Sequence, residues 1–267
     1  MNTQPNSKGL LVKAQKINSK KNLTQRHKGA KNTEKIKKAG KTSVSIGTKN
    51  ESSLHKTLKF RYTGKSGKTE VETEGFVADG IRDDGEFIEV QTGSFGPLKK
   101  KVKAFVSLGK VRIIHPIAVI NTIEVYNTKG KLLYRRKSPV RGSHWDIFEA
   151  LLSAPEIPLI KGLTIELTLV DITEKRIKDG KGSWRRKGIS KQDKLLSAYH
   201  SSIVLSKKSD YLKHFVPFKK NEEFTVSSHA EKTGIKRHLS QKALYVLTKM
   251  KAVKRIGKKS NAWVYVR

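Results

Sequence analysis

The stretch that most limits how this chain can fold is DGIRDDGEFIEVQTG, residues 79–93. Two runs of alternating apolar and polar residues flank an Asp83-Asp84-Gly85 turn, which reads as two antiparallel strands. Pairing them about Asp84 sets Asp79 opposite Glu89, while Glu89 and Gln91 share a face and Val90 points the other way. Asp79 and Glu89 are therefore expected to project together. The acids at 83 and 84 are ordinary turn residues, but Asp79 and Glu89 each interrupt an apolar strand. Two facing carboxylates suit a hard divalent cation, Mg²⁺ or Mn²⁺, which keeps several waters and also binds phosphate.

The neighbouring pattern extends the frame. Glu51, Leu54, His55, Leu58 and Tyr62 fall on one face of a helix with Asn50 as its expected N-cap. KTEVET, GFVADGI and EFIEVQT read as three strands. Pro97 opens a helix, PLKKKVKAFVSL, followed by the strand VRIIHPIAVI. A hairpin (TIEVYN, KLLYRR), a helix around HWDIFEALLSA and a strand LTIELTLVDI come next, and KQDKLLSAYHSSIV reads as a further helix. From Asn221 onward, two helices joined by a tight turn at Gly234 precede two short strands, VKRIGKKSNAWVYVR. That is the plan of a winged helix-turn-helix. SGKT at 66–69 is a turn and not a phosphate-binding loop, because a helix precedes it and a strand follows.

Composition narrows the partners. Lys and Arg number 57 against 23 Asp and Glu, a net charge of +34, which points to a polyanion whose counterions are released on binding. Residues 1–49 hold thirteen Lys or Arg and one acid, Glu34, without aromatics or periodicity, and read as a disordered basic arm. The absence of cysteine excludes disulfides and thiolate zinc sites. No apolar run approaches the ~20 residues of a membrane span, and no signal-peptide core opens the chain. The expectation is a soluble, cytoplasmic protein without a membrane partner.

Helix-β-β-β-helix-β, with Glu51 on the first helix, Asp79 on the second strand and Glu89 on the third, resembles the PD-(D/E)XK nuclease superfamily. Within it, ESSLHKTLK, FVADGIRDDGEFIEVQTGSFGPLKKKV, RRKSPVRG and the C-terminal module look like an uncharacterised prokaryotic group that joins this core to a winged helix. The resemblance implies an α/β (α+β) fold with a restriction-endonuclease-like αβββαβ core over residues 50–219 and a DNA-binding winged helix over 220–267. It also implies metal-dependent DNA cleavage, with Asp79 and Glu89 on the metal and Glu51 supporting a ligand or water. Gln91 stands where the superfamily has Lys. Some members recruit a Lys from the next helix instead, which makes Lys99 and Lys101 candidates here.

Nucleic-acid contacts are expected from Arg135, Arg136, Lys137 and Arg141, and from Arg185 and Arg186 beside Trp184. In the C-terminal module, Lys236, Arg237, His238, Ser240 and Gln241 lie at the start of the helix that would read bases, with Lys258, Lys259 and Asn261 at the wing tip. Ala243, Leu244, Leu247 and Met250 should face the core. Two alternatives stay open: a DNA-binding protein or regulator on a degenerate, inactive core, and an RNA-binding protein.

Overall fold

In the computed structural model residues 51–267 are described, so the basic arm of 1–49 and the Asn50 cap lie outside the described residues. Helix α1 (Ser53–Thr63) starts at Ser52, whose hydroxyl accepts the His55 N–H at 3.3 Å. The cap is thus two residues later than expected, and Glu51 precedes the helix instead of belonging to it. Strands β1 (Lys68–Thr73), β2 (Phe76–Ile81) and β3 (Phe87–Val90) follow, then helix α2 (Leu98–Val106). The registers Gly80↔Ile88 and Ile81↔Phe87 are those of a hairpin centred on residue 84.

Strand β4 (Val111–Tyr126) runs parallel to β3. It fuses two segments that sequence periodicity separates, VRIIHPIAVI and TIEVYN, into one 16-residue strand. Pro116 falls just beyond Ile114, the last residue paired with β3, in keeping with the tolerance of proline where pairing ends. The distal half of β4 pairs instead with β5 (Leu132–Lys137). Helix α3 (Ile147–Leu151) leads into β6 (Leu163–Lys178), parallel to β4, and then β7 (Ile189–Leu205), antiparallel to β6. The expected helix at 191–204 is therefore a strand. The result is a mixed seven-stranded sheet in the order β1-β2-β3-β4-β6-β7, with β5 on the far half of β4. Helices α4 (Lys208–Phe215), α5 (Val226–Thr233) and α6 (Arg237–Lys249) and the hairpin β8 (Lys254–Lys259)–β9 (Ala262–Val266) complete the chain.

Helix α1 covers one face of the sheet, packing Leu54 and Leu58 on Ile88, Val90, Ile114 and Val170. The other face carries the larger core, in which Phe87, Val111 and Ile113 meet Phe105 of α2 and Phe148 of α3. Leu244 and Leu247 of α6 join that same cluster, so α5, α6 and the final hairpin share a core with the sheet. Ala243, Leu244, Leu247 and Met250 are buried as expected. Burial of each Leu or Met side chain among them contributes roughly 1.5–3 kcal/mol. Among the described residues no helix is long and apolar enough to cross a membrane.

Candidate active site

The hairpin ladder stops at Gly80↔Ile88, one step short of Asp79 and Glu89. Beyond it, side chains do what backbone carbonyls did before. The Asp79 N–H donates to Glu89 Oε1 at 3.2 Å, and the Val90 N–H donates to Asp79 Oδ2 at 2.8 Å. Both carboxylates are thus held in the opening between two parting strands and do not simply stand side by side on a continuous sheet face. Gly80 makes this possible, since a Cβ there would strike the Thr63 side chain and lift α1 off β2.

Each helix contributes one partner. From α1, His55 Nε2 lies 3.1 Å from Asp79 Oδ2 and 3.4 Å from Glu51 Oε1. Buried Lys59 sits 2.9 Å from both Glu51 and Glu70. Burial opposes the Lys59 charge, but these two carboxylates outweigh it and hold the ammonium above its ordinary range. From α2, Lys101 Nζ donates to Glu89 Oε2 at 2.6 Å. These contacts draw Glu51, Asp79, Glu89 and Lys101 into one cluster, in which His55 links Glu51 to Asp79.

Lys99 and Gln91 depart from expectation. Lys99 turns away from the carboxylates to pair with Glu156 at 2.7 Å, because α2 buries Leu98, Val102 and Phe105 and this fixes which flank faces β3. The Gln91 amide donates to the Ser94 carbonyl and ties up its own loop. Asp193 is a residue that sequence reasoning missed. Its carboxylate accepts the Ser53 N–H at 2.9 Å and the Ser53 hydroxyl, anchoring the start of α1. Reading 191–204 as a helix hid it. With Lys191, Gln192 and Lys194, it borders a cleft of about 280 Å³ that Glu51 and His55 also line.

The electrostatics are asymmetric. Burial, followed by the charge of Asp79, pushes Glu89 up to about 7 despite Lys101. Burial works against Asp79 too, but the hydrogen bonds from His55 and the Val90 N–H hold it below its ordinary value. Among the described residues no group of three or more His, Asp or Glu is arranged as a ready metal cage. The pair still fits a Mg²⁺-type ion, which binds through one or two carboxylates and retains water. A buried carboxylate that resists ionising beside another is a site short of positive charge.

Elsewhere, Arg135, Arg136 and Lys137 lie exposed on β5, with Arg135 2.8 Å from Glu124, and Arg141 is exposed in the following loop. Arg185 is exposed and Arg186 is half-buried against the Ile189 carbonyl. Lys236, Arg237, His238 and Gln241 are exposed at the start of α6, as are Lys258, Lys259 and Asn261 at the hairpin turn. Ser240 is not accessible, because it is buried between His229 and the Val226 carbonyl.

Residues 52–206 match the sequence profile of a family described as a domain of unknown function, DUF8091. An uncharacterized protein of Treponema pallidum (strain Nichols) is 28% identical over 159 residues, which is 60% of this chain and 63% of that relative. The match thus spans less than two thirds of the relative's length. No solved structure matches the chain.

Proposed function

We propose that this chain, which belongs to the DUF8091 family, is a metal-dependent endonuclease acting on DNA, built on a PD-(D/E)XK-like core with a C-terminal winged helix. The observation that carries the reading is the convergence of Asp79, Glu89 and Lys101 where β2 and β3 part, with Glu51 and His55 beside them. Asp79 and Glu89 would hold Mg²⁺ or Mn²⁺, which when bound supplies charge stabilisation at the phosphate and a more acidic water.

The chain's own groups have distinct tasks. Glu89 and Asp79 present fixed carboxylate oxygens, Glu89 oriented by the Asp79 N–H and Asp79 by the Val90 N–H. His55 keeps Asp79 ionised and aimed. Lys101 brings the positive charge that Gln91 cannot, next to Glu89, where it can turn to a phosphate oxygen and oppose the charge developing in the transition state. The α6 N-terminus and the β8–β9 turn offer exposed cations and amides to a duplex groove, consistent with winged-helix recognition.

The test is cleavage of supercoiled plasmid and of duplex, branched and single-stranded oligonucleotides with Mg²⁺ or Mn²⁺ against EDTA. Metal-dependent cutting by the wild type that Glu89→Ala abolishes, at nearly unchanged DNA affinity, supports the reading. Gln91 favours the rival, a binding protein on an inactive core. Tight DNA binding with no cleavage of any of these substrates would establish that rival.

A further inference from the structure

The β6–β7 hairpin ends in an unusual tip. Trp184 is 83% exposed, although an indole is among the costliest side chains to leave in water. The tip is nonetheless built. Trp184–Arg186 form a 3₁₀ turn, and Lys187 closes it in the left-handed region at φ 50°, donating its N–H to the Trp184 carbonyl at 2.9 Å. The Arg186 guanidinium donates to the Ile189 carbonyl at 3.2 Å. Gly182 packs so tightly on the Ile189 backbone that any Cβ would collide with it.

The charges around the indole are also arranged. Asp179, the one acid between residues 178 and 190, is occupied by the Ser190 hydroxyl at 2.7 Å and the Lys181 N–H at 3.0 Å. Lys181, Arg185 and Lys187 remain exposed, with the Arg185 guanidinium 5.7 Å from the Trp184 ring centre. A water-exposed aromatic plane on a hydrogen-bonded turn, fringed by cations, matches a flat π-surface flanked by anions. Unpaired nucleobases offer that chemistry, and paired ones do not, because their faces are already stacked.

The hairpin also links the tip to the candidate site. Asp193, whose carboxylate holds the start of α1, lies five residue steps along the strand from Gly188, roughly 17 Å. We propose that Trp184 is a stacking platform for an unpaired base, and that the substrate class is nucleic acid carrying unpaired nucleotides a short distance from the cut. The stacking site stands on its own geometry, whereas the substrate class rests on the endonuclease reading.

Binding is measured in EDTA to a fully paired DNA duplex, a gapped duplex with 2-aminopurine in the gap, and a single-stranded RNA of the gap sequence. Trp184→Ala is expected to weaken binding to the unpaired ligands roughly 5- to 150-fold, to abolish 2-aminopurine quenching, and to leave duplex affinity unchanged. Trp184→Phe should retain part of both signals, and matching melting temperatures exclude misfolding. Equal loss on paired and unpaired ligands, or no loss on either, overturns the proposal. With metal, no cleavage by the wild type would sink the catalytic reading and leave the platform standing. A Trp184→Ala enzyme that cuts with undiminished preference for gapped DNA would sink the substrate class, while the metal-free binding result decides the platform.

Discussion

Replacing Glu89 by Gln tests the electrostatics of the site without needing a substrate. An ordinary Glu titrates near 4.5, and burial with Asp79 alongside moves Glu89 to about 7. The folded protein therefore holds a proton that the unfolded chain has released, and the wild type loses stability as pH rises from about 4.5 through about 7. At 1.36 kcal/mol for each pH unit of displacement, that loss is about 3 kcal/mol. Gln cannot titrate, so the difference in stability, variant minus wild type, should grow by that amount across the window. For a body of this size it corresponds to a relative gain of about 6–12 °C in melting temperature. Taking the difference also removes His115, His144 and His229, which burial holds below their ordinary value and which weaken the fold as pH falls. Asp79 is held low, so its contribution is lost only below the window. The assay is metal-free thermal unfolding of both proteins from pH 4.5 to 8.5, repeated with Mg²⁺ at pH 8. Mg²⁺ at about 100 times its dissociation constant should return about 2.7 kcal/mol to the wild type and little to the variant. A flat difference curve, or equal Mg²⁺ stabilisation of both, would refute the argument.

Lys101→Ala should slow metal-dependent cleavage about 10²- to 10³-fold with little change in binding, while Lys99→Ala, whose side chain pairs with Glu156, should cut like the wild type in the same gel assay. Leu244→Ala leaves a cavity in a fully buried position of the shared core and should cost about 2–5 kcal/mol in urea unfolding. Deleting residues 1–49 removes thirteen Lys or Arg and one Glu, so salt titrations should show weaker binding to all DNA and a shallower dependence of log affinity on log salt. Arg237→Ala or Gln241→Ala should instead shift preference among duplex sequences by about 1–3 kcal/mol in a competition assay; a uniform loss would mean that α6 grips phosphates only.

Some of this was legible before any fold was known, because the information is local. Alternation and an Asp-Asp-Gly turn are enough to set the β2–β3 register, and with it the closeness of Asp79 and Glu89 just beyond the ladder. The two C-terminal helices are marked just as locally by apolar periodicity and the turn at Gly234. What the sequence leaves open depends on contacts between distant segments. Leu195, Tyr199 and Ile203 are spaced by four, which satisfies a helix and a strand equally, and only pairing with β6 makes that segment a strand. The same pairing carries Asp193 to Ser53, 140 residues earlier, a contact no spacing rule could anticipate. Lys99 and Lys101 are chemically equivalent in a list of residues. Burial of Val102 and Phe105 rotates α2 so that one meets Glu89 and the other Glu156. Residue types and short periodicities thus determine which groups are available and how neighbours align. Packing decides which of them face each other, because the rotation of a helix and the partner of a strand are set by the apolar surface they bury.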